Sequence, residues 1–124
     1  MKRGRKVGWE SSKTQKGEKN ISLIDIAWAA GFLEGEGSFI INKGSGQISG
    51  YNTDIEVLDK LRKMFGGRIV SKSQYFSTFE SRKEYFQWYC SGSRARGIMM
   101  TIFSFMSVRR KEQIKKVLEK KGVE

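Results

Sequence analysis

The chain has 124 residues, 38% of them hydrophobic and 12% aromatic, which suits one compact domain with a packed core and excludes global disorder. Its formal net charge of +11 makes polyanions, nucleic acid first among them, the partners to consider. There is no histidine, which removes histidine bases, nucleophiles and zinc ligands, and the single cysteine, Cys90, excludes an internal disulfide.

Residues 1–20 carry seven Lys/Arg against two Glu and show no helical or strand periodicity. They read as a flexible basic arm preceding one domain over residues 21–124. Lys2–Lys6 (KRGRK) offers a minor-groove contact, although basic termini are common. A second basic block, residues 109–124, carries seven Lys/Arg against three Glu, while the stretch between is nearly balanced. Clustered charge of this kind marks a polyanion contact better than it marks solubility alone.

The first helix is expected from Ser22, with Asp25 completing an approximate capping box, through Leu33. Ser38–Lys43 and Gln47–Tyr51 read as a strand pair turning on Gly44, Ser45 and Gly46. Asn52-Thr53-Asp54 then caps a second helix whose apolar stripe is Ile55, Leu58, Leu61, Met64 and Phe65, stopped by Gly66-Gly67. Arg68–Gln74 and Tyr85–Cys90 form a second strand pair around a polar loop at Ser77–Lys83. Ser91–Arg96 break the strand, Ile98–Met106 begin further helix, and a last helix runs from about Arg109 to Lys121 with Ile114, Val117 and Leu118 on one face. The order is αββαββα, an α+β fold with helices against one face of an antiparallel sheet. No apolar run approaches a membrane span and no signal peptide is visible, so an intracellular protein without membrane contact is expected.

Chemistry concentrates in residues 27–39, AWAAGFLEGEGSF. Ala27, Ala30, Gly31 and Glu34 follow helical spacing, a stripe of small side chains that lets a second helix backbone approach. Acids at a helix C-terminus face carbonyls already partly negative, so Glu34-Gly35-Glu36-Gly37 calls for a compensating cation or solvent. A divalent metal fits: Glu36 offers a hard carboxylate oxygen and Gly35 an orphan carbonyl. On composition alone, however, the stripe reads first as tight packing and the E-G-E-G as a solvated turn.

The strands supply a separate signal. Ser38, Ile40 and Asn42, then Gln47, Ser49 and Tyr51, then Arg68, Val70, Lys72 and Gln74, and finally Tyr85, Gln87 and Tyr89 alternate with apolar or small residues. These positions hold no acid and many side chains suited to base edges and phosphates.

The segment AAGFLEGEG (Ala29–Gly37) resembles the LAGLIDADG motif of homing endonucleases. The resemblance extends over roughly residues 22–119 through the element order, the Asn-Thr-Asp start of the second helix, Leu58–Phe65-Gly-Gly and the closing FSFMSVRRKEQIKKVL. It implies a saddle-shaped antiparallel sheet and a homodimer through the motif helices, cutting double-stranded DNA at a roughly palindromic site with Mg²⁺ or another divalent cation such as Mn²⁺. It implies further that Glu36 binds the catalytic metal, with the Gly35 carbonyl in its shell and Glu34 supporting the helix interface. Asn52 is the best match to a water-ordering residue, and Arg109 to a cation stabilising phosphate charge, with Lys111 two residues on. The alternative is a non-cleaving nucleic-acid binder on the same fold, either an RNA-splicing maturase or a transcription-factor relative. A ribosome-associated RNA binder, in which the motif is coincidence, is the third reading.

Overall fold

The computed structural model describes residues 20–76 and 81–119, with the side chains of residues 73–76 and 81–83 excluded. The basic arm, the tip of the second hairpin and the last five residues lie outside them. The elements are α1 (Leu23–Glu36), β1 (Gly37–Asn42), β2 (Ser45–Asn52), α2 (Ile55–Phe65), β3 (Arg68–Phe76), β4 (Ser81–Ser91), α3 (Gly92–Ile102), a 3-10 turn (Phe103–Phe105) and α4 (Val108–Glu119). The αββαββα order therefore stands. Among the described residues no helix is long and apolar enough to cross a membrane.

Both early helices start as their sequences dictate. The Ser22 hydroxyl accepts the Asp25 N–H at 3.1 Å, and the Asp54 carboxylate accepts the Glu56 N–H at 3.0 Å. The first hairpin turns on two residues, Lys43 (φ 55°) and Gly44 (φ 81°), the left-handed pair that matches strand twist. The expected turn at Gly44, Ser45 and Gly46 is thus displaced by one or two residues. Ser45 and Gly46 already belong to β2, where a Cβ on Gly46 would stand 3.0 Å from Val117 Cγ1.

Two further boundaries differ from expectation. Strands β3 and β4 run on to Phe76 and resume at Ser81, because continued antiparallel pairing outweighs the polar sequence there. Strand β4 ends at Ser91, within the expected break, but the helix that follows starts at once at Gly92 and not at Ile98. It is held by burial: the Arg94 guanidinium lies inside the protein and donates to the Phe65 carbonyl at 2.7 Å.

The four strands pair antiparallel in the order β1-β2-β4-β3. Helix α4 packs on β1, α3 on β2 and α2 on β4, while α1 rests on α3 and the first hairpin. All helices thus cover one sheet face. That face supplies Phe39, Ile48, Trp88 and Cys90 to the core, which Leu33, Leu58, Leu61, Phe65, Ile98, Ile102 and Ile114 complete. Trp88 Nε1 donates to the Gly66 carbonyl at 2.9 Å, closing the end of α2 against β4. Burial pushes the Cys90 thiol up to about 12, with Arg94 opposing it, so Cys90 is an inert structural thiol.

Candidate functional site

Helix α1 ends where the sheet begins, with no connecting residue between Glu36 and Gly37. The Gly37 N–H still donates to the Leu33 carbonyl, closing the helix, and Gly37 then pairs with Gly50 as the first rung of β1 and β2. Glu36 is therefore fixed at the junction of a helix and a strand. It is exposed, and among the described residues no hydrogen bond or ion pair engages its carboxylate.

The neighbouring acid behaves differently. Glu34 Oε1 accepts the Ser107 N–H at 2.9 Å and so caps the start of α4. These Ser107 bonds hold the Glu34 carboxyl below its ordinary value, with Arg110 and Arg109 adding to the effect. One of its two oxygens is thus engaged within the chain, in a structural role at the end of α1.

Arg110 completes the arrangement. It is 7% exposed; Nε donates to the Glu34 carbonyl at 2.9 Å and Nη2 to the Gly37 carbonyl at 2.8 Å. Nη1 is held by Gln113 Oε1 at 2.7 Å. Burial lowers the guanidinium from its ordinary value, Arg109 adds to that and Glu34 opposes it. Arg110 thus takes the carbonyls on either side of Gly35 and Glu36 and stays clear of both. The Gly35 carbonyl has no helical donor available, since residue i+4 is Phe39, already in β1. Among the described residues there is no group of three Asp, Glu, Cys or His that one chain brings together for a metal ion.

Sequence reasoning singled out Arg109 and missed Arg110. Arg109 is exposed at the start of α4. The missing signal was present in the spacing, because Arg110 precedes Ile114 by four residues and Val117 by seven, on the buried face. Asn52 also proves different in kind. Its Oδ1 accepts the Asp54 N–H at 2.7 Å, organising the turn into α2, and it pairs with Phe86 on the helix-covered face. Its Nδ2 and the second lone pair of Oδ1 remain for other partners.

The small-residue stripe divides. Ala27 and Gly31 are exposed, and Cβ atoms built on Gly31 and Gly35 meet nothing within 4 Å. Ala30, at 2% exposure, belongs to the core beneath α1 and does not share this face. Leu23 and Ile24 extend the exposed side with large apolar side chains, 70% and 81% exposed. Trp28 and Phe32 stack at 5.9 Å between centroids and pack against the protomer's own core.

The register places the alternating strand residues together. Ser38 pairs with Ser49 and Ile40 with Gln47; Ser49 then pairs with Tyr89 and Tyr51 with Gln87. Arg68 pairs with Tyr89, Val70 with Gln87 and Lys72 with Tyr85, with Gln74 next in register and its side chain outside the described residues. All thirteen positions share the sheet face that no helix covers. Asn42 Nδ2 donates to Gln47 Oε1 at 2.9 Å, and the Tyr51 and Tyr85 rings stand 5.8 Å apart. Asn42, Gln47, Val70, Lys72, Gln87 and Tyr89 line a depression of about 470 Å³. Ser49 and Gln87 are buried on this face, whereas Arg68 and Lys72 are exposed.

No protein-family model matches the chain, and no curated protein does. Among solved structures it is similar to the homing endonuclease I-CvuI, crystallised with its I-CreI target in the presence of Mg, the DNA uncleaved. The TM-score is 0.54 at 13% sequence identity, over 77% of this chain and 64% of that one. The chain therefore spans about two thirds of the length of that endonuclease. At this identity the likeness is one of fold: the four-stranded antiparallel sheet and its covering helices are those of a homing endonuclease.

Proposed function

We propose that two copies of this chain form a divalent-metal-dependent, sequence-specific endonuclease acting on double-stranded DNA. The observation that carries the reading is the free Glu36 carboxylate, held at the end of the helix whose exposed side is built from Ala27 and Gly31. Small side chains there admit a second α1, and a two-fold axis through that contact brings together a pair of Glu36 carboxylates. Among the described residues one chain does not gather enough acids alone, which is the reason to invoke two.

The Glu36 carboxylate and the Gly35 carbonyl are the atoms that would hold Mg²⁺ or Mn²⁺, and as hard oxygen donors with no rival partner they suit such an ion. When bound, the ion supplies Lewis-acid stabilisation of phosphate charge and a more acidic water. The remaining work falls to the protein. The acid-free sheet face, with Arg68 and Lys72 exposed and Asn42, Gln47, Tyr51, Tyr85 and Tyr89 around them, holds the duplex by phosphate contacts and base edges. Arg109, exposed at the start of α4, places a fixed positive charge where the phosphate charge develops.

The reading is tested by cleavage of a plasmid library with Mg²⁺, run beside Glu36→Gln. Specific cuts by the wild type, lost in the variant with DNA binding retained, support it; tight binding without any cut by the wild type overturns it. That second outcome selects a non-cleaving DNA or RNA binder on the same fold.

A further inference from the structure

Helix ends hold their last carbonyls loosely, because no intrahelical N–H remains to fix them. The end of α1 is an exception. A guanidinium from α4 reaches the Glu34 carbonyl at 2.9 Å and the Gly37 carbonyl at 2.8 Å, spanning the two peptides that carry Gly35 and Glu36. In return, the Glu34 carboxylate accepts the Ser107 N–H at the first turn of the helix that bears the guanidinium. Each element holds the other, and the chain separation between the partners exceeds seventy residues in all three bonds.

We propose that Arg110 is a positioning residue for Glu36: it fixes the peptide path from Glu34 to Gly37 so that the Gly35 carbonyl and Glu36 carboxylate face the ion together. This inference rests on the metal-binding part of the function proposed above. Three features set Arg110 apart from a residue that merely fills space. Its planar fork binds two carbonyls at once, which fixes their relative orientation as a single contact does not. Gln113 on one side and the Phe39 ring, 5.2 Å from the guanidinium carbon, on the other hold the fork itself. Its charge lies at the negative end of α1, where it offsets the carbonyl dipoles and leaves the Glu36 carboxylate unpaired for a ligand.

The test compares wild type, Arg110→Gln and Arg110→Lys as full chains. Mn²⁺ is titrated while the amide resonances of Gly35 and Glu36 are followed for paramagnetic broadening, and DNA affinity is measured in EDTA. Loss of an orienting partner of this kind raises the Mn²⁺ midpoint by about 10- to 100-fold and lowers the cleavage rate similarly. DNA affinity in EDTA is expected to stay within about 2-fold, since neither Arg110 nor its partners lie on the open sheet face. Arg110→Lys keeps the charge and reaches one carbonyl at a time, so it falls between the other two.

An unchanged Mn²⁺ midpoint in either folded variant overturns the inference, as does a loss of DNA affinity equal to the loss of cleavage. Should Arg110→Gln fail to fold, the midpoint of Arg110→Lys decides. Wild type that broadens at Glu36 but never cuts DNA would sink the endonuclease reading and leave the positioning role standing. Wild type with no broadening at Glu36 overturns the positioning role itself.

Discussion

The Glu34 carboxylate and the Ser107 backbone N–H, 73 residues apart in the chain, are joined by a hydrogen bond of 2.9 Å. One acid of the E-G-E-G segment is thereby committed to the fold, and the other, two residues on, is exposed with no partner among the described residues. Two acids so close in sequence would repel at the end of a helix already rich in carbonyl oxygen. The pairing of one with a helix N-terminus removes that conflict.

This bond gives the first prediction, in stability against pH. The Glu34 carboxyl is held below its ordinary value of 4.5, so its contribution is fully present above that pH and is lost as pH falls through the lowered folded value. Melting temperatures of wild type and Glu34→Gln should differ by a constant amount from about pH 7 to about pH 5 and converge at more acid pH. A difference that persists unchanged at low pH would assign the stabilisation to side-chain shape instead of charge.

Gly31 separates folding from association. A side chain at this position meets nothing within the protomer, so Gly31→Gln should stabilise the isolated fold by about 0.5–1 kcal/mol through helix propensity. The same side chain fills the space that a second α1 requires. Sedimentation should then show wild type as a dimer on DNA and Gly31→Gln as a monomer with a raised melting temperature. A variant that dimerises normally would remove α1 from the interface.

The open sheet face predicts a salt dependence. If Arg68 and Lys72 bind phosphates, replacing both with Ala lowers the steepness of log affinity against log salt by about one per contact, so about four for a dimer, and weakens all sequences alike. If they read bases, the slope holds while discrimination at particular positions falls. Binding isotherms at several salt concentrations, on a cognate and a scrambled duplex, distinguish the two; a double variant with neither change would take the duplex off this face.

Gly67 is a tightly restricted backbone position. Its φ is +100°, and a Cβ would lie 2.5 Å from Cys90 Sγ and 2.7 Å from the Tyr89 carbonyl. Gly67→Ala should destabilise by about 2–5 kcal/mol, combining left-handed strain with overpacking, measured by denaturant unfolding. A cost below about 1 kcal/mol would mean that the α2–β3 corner relaxes freely.

The parts of the molecule written in local periodicity were legible before the structure. Alternation alone separated Ser38, Gln47, Arg68 and Gln87 from Phe39, Ile48, Ile69 and Trp88, because period 2 maps directly onto the two faces of a sheet. The caps at Ser22 and Asp54 were equally plain. What stayed hidden depends on distant partners. Nothing near Arg110 in the chain states that its fork will find Glu34 and Gly37. The Asn-Thr-Asp run marked a cap, but which side chain would accept which backbone N–H was not written in it. Ala30 was grouped with Ala27 and Gly31 on size, although only the placement of the core beneath α1 divides them.

The two-residue turn at Lys43–Gly44 makes the first hairpin a ruler with discrete graduations. No shorter connection exists, so the hairpin cannot lose a residue without erasing a rung between β1 and β2. It can grow only in step, one residue on each side of the turn, because an unmatched insertion reverses every side chain beyond it. Each added rung points alternately to solvent and to the helices, so the open face lengthens in increments of about two residues per strand. Variants of this protein with a longer open sheet face must obey that parity.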